Sequence, residues 1–197
     1  MNTTTEKKQN RRLQQKLNTR QKILKSAGNL FSTKGIMTTS TAEIAKRAGV
    51  AHGTLFVHFP TREDLITDVL TFSLGSLAKQ LHEETNGINE IEPLLSCFLD
   101  GLQKYEKLYR RILIEQHQLP SLARSTLLGI YSAFSDRLYR AYTISEKDPS
   151  KLDQDRLFIT WISLINFYIT NSDIYSESDS LLSEKNSEII QHFLQLI

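Results

Sequence analysis

The chain has 197 residues, 40% of them hydrophobic, with 8 Gly, 4 Pro and a single cysteine, Cys97. That length suits one large domain or two small ones, and one cysteine excludes an intramolecular disulfide and a cysteine-held metal cluster. The formal charge of +2 hides an asymmetry: residues 1–65 hold 12 Lys and Arg against 4 Asp and Glu, a net +8, while the remainder carries a net −6.

A basic first third on an acidic remainder points to a polyanion-binding head on a different kind of body. Scarce glycine and proline and few β-branched runs predict an all-α chain. The N-terminus MNTTTEKKQNRRLQQK has no apolar stretch of the kind a secretory leader needs. The longest mostly apolar run, residues 157–169, is short of the ~20 residues that span a bilayer. A cytoplasmic protein with no membrane partner is the expectation.

Residues 1–17 read as a basic, flexible arm. Asn18 or Thr19 is placed to cap a helix to about residue 34, with Ile23, Ala27, Leu30 and Phe31 on one face and Gly35 at its end. Ser40 or Thr41 caps the next helix, and Glu43 stands three residues from Ser40, the capping-box distance. Ile44, Ala45 and Ala48 are its small or apolar positions, and Gly49 breaks it. After Val50 a second short helix carries Leu55 and Phe59 four apart, and Pro60 stops it. Two short helices and a tight turn over residues 41–59 make a helix-turn-helix, the unit that lays its second helix in a DNA major groove.

Thr61 caps a long helix over residues 62–84. Helical periodicity resumes over 93–107 and 108–118. Pro120 suits the first turn of a helix to about residue 145. A polar loop, SEKDPSK, precedes a helix over 152–175, and a last helix covers 181–196. The stretch 157–169 is apolar nearly all round, so it needs cover on every side. The simplest cover is a second copy, with the last helix joining it in a four-helix interface built on Trp161, Ile165, Ile190, Phe193 and Leu194.

The stretches TRQKILKSAGNLFSTKG, TAEIAKRAGVAHGTLFVHF and PTREDL, within residues 19–72, resemble the TetR family of transcriptional regulators. The resemblance covers about a quarter of the chain by sequence. It implies a three-helix head over residues 18–62, a helical ligand-binding and dimerisation domain over 63–197, and a homodimer on a palindromic operator. The function it implies is a repressor released from DNA by a small-molecule effector. By the same resemblance Thr41 touches a phosphate, His52, Gly53, Thr54, Phe56 and Val57 form the groove-facing edge, and Arg62 grips the backbone. Phe56 stands where the family usually has tyrosine, and Ala51 where a capping serine is common. Leu55, Phe59, Ile44 and Ala48 read as core, and His58 as a packed structural histidine.

Residues 93–145 and the helix that follows are expected to enclose the effector, with Tyr105, Tyr109, His117, Tyr131, Trp161 and Tyr168 as candidate liners. Aromatic residues at helical spacing are equally the stuff of ordinary core. Nothing in the sequence points to an enzyme or a cofactor: it holds no glycine-rich phosphate loop, no HExxH and no Cys/His ligand spacing. Two other readings stay open, a DNA-binding regulator answering to a protein partner and a DNA-acting enzyme such as a recombinase.

Overall fold

The computed structural model describes residues 3–145 and 152–197. Among these residues every regular element is helical. The head comprises α1 (Thr3–Lys34), α2 (Thr41–Ala48) and α3 (His52–His58). The body comprises α4 (Arg62–Glu84), α5 (Ile91–Gln103), α6 (Glu106–Glu115), a 3₁₀ turn at Gln116–Gln118, α7 (Ser121–Ile144), α8 (Gln154–Thr170), α9 (Ser172–Tyr175) and α10 (Leu181–Leu196). Most of the polar loop expected at 145–151 lies outside the described residues.

The first helix departs from expectation. It starts at Thr3, fifteen residues before the predicted cap, so the basic arm is helical from there. Its sequence from residue 6 is rich in Glu, Lys, Gln and Arg, good helix formers, and holds no Gly or Pro before Gly28. Thr19 caps nothing: its hydroxyl donates back to the Gln15 carbonyl at 2.9 Å, the local bond open to a mid-helix threonine.

The head closes on Ile23, Ala27, Phe31, Ile44, Leu55 and Phe59, all nearly or fully buried. At α2 the capping box is complete. The Glu43 N–H donates to Ser40 Oγ at 3.2 Å, and the Ser40 N–H donates to the Glu43 carboxylate at 3.1 Å. Gly49 sits at φ 68°, a left-handed value that would strain a residue with a Cβ. The Val50 N–H then reaches the Ala45 carbonyl at 3.0 Å, closing the turn into α3. Phe59 is extended (φ −138°, ψ 94°), the conformation Pro60 imposes on the residue before it.

In the body α4 packs on α1, α5 and α7, and α10 packs on α5 and α8. Pro120 stands at the cap of α7, one position before the predicted first turn. The helix predicted over 152–175 breaks at Asn171 (φ −107°, ψ 25°), whose amide side chain donates to the Phe167 carbonyl at 2.8 Å.

The predicted subunit interface needs correction. Trp161, Ile165 and Phe193 are fully buried within the chain, and Ile190 is 4% exposed. Residues 157, 161, 165 and 168 form one helical stripe, and that stripe faces the body's own core. The outward face of α8 lies two residues round: Ile159 is 59% and Phe167 53% exposed. On α10 only Leu194, half-buried, and Leu196, exposed, bring apolar surface near solvent, because Glu188, Gln191, His192 and Gln195 occupy the outer face.

Candidate DNA-binding surface and effector groove

The predicted groove-facing edge forms a continuous exposed surface on α3. His52, Gly53, Phe56 and Val57 are exposed, and Thr54 is half-buried. Ala51 gives no side-chain cap. The start of α3 is fixed instead by Thr41, whose hydroxyl shares a 2.9 Å hydrogen bond with His52 Nε2. The His52 ring stands edge-on to Phe56 at 5.1 Å. Thr41, His52 and Phe56 are thus one linked unit across the two helices of the motif.

His58 turns the other way. Its Nδ1 is buried and has no hydrogen-bond partner among the described residues. Burial first, then Lys16 and Arg20, lowers its pKa from the ordinary histidine value and disfavours the charged ring. Arg20 bridges to Asp68 at 2.5 Å and lies 5.0 Å over the Phe59 ring, pinning α1 to α4.

Arg62, expected to grip a phosphate, has one of its guanidinium nitrogens engaged within the protein. Its Nη2 donates to the carbonyls of Ile36, Met37 and Thr39 at 3.0, 2.8 and 3.3 Å. Three carbonyl acceptors hold the guanidinium inside the α1–α2 turn, so it is a staple of the head.

The six candidate liners do not converge on one cavity. Tyr109, Tyr131 and Asn166 form a polar cluster between α6, α7 and α8: the two phenols hydrogen-bond, and the Tyr109 hydroxyl donates to Asn166 Oδ1 at 2.7 Å. Burial, then the neighbouring Tyr131, pushes the Tyr109 phenol well above 10. Trp161 is core, packed on Phe98 and Phe193 with ring centroids 6.1 and 5.0 Å away. The Tyr168 hydroxyl meets His192 Nδ1 at 2.9 Å near the surface. His117 is exposed on the 3₁₀ turn. Tyr105 alone of the six lines a large space, a cleft of about 710 Å³ between head and body.

The body's apolar cavity lies elsewhere. A groove of about 210 Å³ runs between α4 and α7, lined by Leu74, Ala78, Leu81, Ile130 and Phe134. Gly75 and Gly129 also line it, and a Cβ on either would meet no atom within 4 Å. At one end stands Arg137, which donates to Thr85 Oγ1 at 2.6 Å and contacts His82 Nδ1 at 3.2 Å. Among the described residues no carboxylate pairs with it. The sequence held one signal for this groove. A glycine inside a helix costs about 1 kcal/mol against alanine, so interior glycines on two helices mark places where a side chain is not wanted.

No helix among the described residues is long and apolar enough to cross a membrane. Residues 23–69 match the family model described as bacterial regulatory proteins, tetR family. The chain is 34% identical over 102 residues to the HTH-type transcriptional regulator AcrR of Shigella flexneri, a match covering 49% of this chain and 46% of AcrR. It spans about half the length of the curated relatives it matches. Solved structures extend the likeness in fold to nearly the whole chain. The fatty acid degradation regulator FadR of Bacillus halodurans superposes with a TM-score of 0.73 at 20% identity, covering 89% of this chain and 94% of that one. FadR of Bacillus subtilis, solved in complex with stearoyl-CoA, gives 0.70 at 19% identity over 90% and 98%. The head, residues 23–69, thus matches the tetR-family model, and the fold of nearly the whole chain is that of solved transcriptional regulators.

Proposed function

We propose that the protein is a ligand-responsive transcriptional repressor that binds a palindromic DNA operator as a homodimer. The observation that carries this reading is the exposed edge of α3, with His52, Gly53, Phe56 and Val57 presented on a head of net charge +8. A short helix held by a capped partner and projecting from a basic head is built to enter a major groove. The curated relatives are named as transcriptional regulators and repressors, which favours this reading over a DNA-acting enzyme. Selection of bound duplexes from a random library tests it. An inverted repeat with half-sites about one helical turn apart (~34 Å) supports a dimer, and no enrichment refutes DNA recognition.

The outward apolar face of α8 supports the dimer. Ile159, Phe167 and the adjacent Ile174 are 59%, 53% and 76% exposed, enough apolar surface to call for a partner helix.

The effector site in this reading is the α4–α7 groove, because α4 runs directly into the head. Its lining is apolar and its one cation, Arg137, lacks an acid partner among the described residues, which suits a small amphiphile with an anionic head. The groove is smaller than the ~300–1,000 Å³ of common ligand sites, so a short acyl or aryl acid fits better than a long chain. The stearoyl-CoA complex of the Bacillus subtilis FadR supports an acyl-type ligand on this fold. A thermal-shift series of hexanoate, octanoate and benzoate tests it, followed by operator titration with each binder.

A further inference from the structure

We propose that the cleft between head and body is a second ligand site, for a small anion bearing phosphate groups. The cleft is about 710 Å³ and is walled by α1, α2, α4 and the α5–α6 corner. That volume is within the range of ordinary small-molecule sites. It is separate from the α4–α7 groove and does not depend on the effector reading given to that groove.

Its charge is one-sided. Lys25 and Arg47 enter from the head, and Lys104 and Lys107 from the body. Lys25, Arg47 and Lys104 have no carboxylate partner among the described residues, and Lys107 meets the fully exposed Asp179 at 3.6 Å. The cleft's other acid, Glu106, is already answered. It accepts from the Ser180 hydroxyl at 2.6 Å and from the Leu181 and Leu182 N–H groups at 2.8 and 3.2 Å, at the positive end of α10. Cations on both walls of a concave space repel one another and raise its potential. A multiply charged anion relieves that repulsion and binds head to body at once.

The lining beyond the cations fits phosphate and, beside it, a ring. Ser73 offers a hydroxyl donor, while the Ser32 and Thr33 hydroxyls donate to the Gly28 and Asn29 carbonyls and leave their oxygens at the rim. Phe72 is 40% exposed at the cleft, an uncommon state for a phenylalanine and an open face for stacking.

The test is calorimetric titration of the full chain with ADP and with pyrophosphate, without divalent metal. Lys25→Gln/Lys104→Gln removes one exposed cation from each wall and should weaken binding at least tenfold while leaving the unfolding curve unchanged. Arg11→Gln/Arg12→Gln, on α1 outside the cleft, should leave binding intact. Phe72→Ala separates the two ligand sources. Weakened ADP with unchanged pyrophosphate assigns a nucleotide, and equal binding of both assigns the phosphate groups alone; either upholds the site. No binding of either probe at millimolar concentration overturns the proposal. So does binding that survives in the cleft variant and falls in the α1 variant.

Discussion

Glu115 and Arg62 hold one turn from its two polar sides. The Glu115 carboxylate, at the end of α6, accepts the N–H groups of Ile36 and Met37 at 3.1 and 2.7 Å. Arg62, at the start of α4, donates to the carbonyls of the same two residues and of Thr39. The turn between α1 and α2 is therefore tied to two body helices by its own peptide groups. Gly35 makes room for this: its φ is 109°, and a Cβ there would stand 3.0 Å from Glu115 Oε1. Movement of α4 or α6 pulls on this turn, which gives the body a direct handle on the head.

Glu115→Ala should strip two backbone donors of their acceptor. Leaving buried donors unpaired costs roughly 1–3 kcal/mol, and the loss should show first as faster amide exchange at Ile36 and Met37. Unchanged exchange there would show that the turn holds itself without the body.

Arg62→Ala should weaken DNA binding by loosening the head, with the salt dependence of affinity unchanged. A residue that contacts a phosphate directly would instead shallow the slope by about one. Measuring affinity at four salt concentrations distinguishes the two roles.

Phe167→Glu should convert the proposed dimer to monomer. Each large apolar side chain buried at an interface is worth roughly 1.5–3 kcal/mol, and the charge adds a desolvation cost. Trp161→Ala, by contrast, should lower the unfolding temperature of the protein itself, since Trp161 is buried within the chain. Sedimentation of both variants checks the assignment, and a dimeric Phe167→Glu would move the interface elsewhere.

Gly129→Leu should fill the α4–α7 groove without unfolding the body, because its Cβ enters open space and helix propensity improves by up to about 1 kcal/mol. Operator binding should persist and lose its response to effector. Arg137→Met should weaken anionic binders and spare neutral ones.

The sequence shows the head well because its signals are local. Capping at Ser40, the left-handed Gly49 and the Pro60 stop each act within a few residues. The body is less legible, because there the question is which face of an apolar helix turns inward. Periodicity shows that α8 is apolar on two sides, but whether Trp161 or Phe167 faces out depends on where α5 and α10 lie. The internal bonds of Arg62 were hidden for a similar reason: its three acceptors are more than twenty residues away in sequence. The α4–α7 groove needs two distant helices to meet, and only Gly75 and Gly129 hint at it.

The acid limb of stability carries a signature of the α2 cap. Glu43 has its pKa lowered from 4.5 to about 2, chiefly by its hydrogen bond from Lys34, then by Ser40. A carboxyl depressed in the folded state contributes stability that is full above its unfolded pKa and is lost as pH falls through its folded one. The Glu43 contribution should therefore fade between about pH 4.5 and pH 2. An NMR titration of the Glu43 carboxyl carbon checks this, and a midpoint near 4.5 would mean that neither the Lys34 bond nor the capping box holds in solution.

Ligand-controlled DNA binding is tested by the affinity of the full chain for its selected duplex, measured by fluorescence anisotropy across a salt series with and without a groove-binding acid. Log affinity should fall steeply and linearly with log salt, as phosphate contacts release counterions. The acid should lower affinity by roughly 5–150-fold, a coupling of about 1–3 kcal/mol. A flat salt dependence would contradict DNA binding through the basic head, and an affinity that no groove-binding acid changes would contradict its control by ligand.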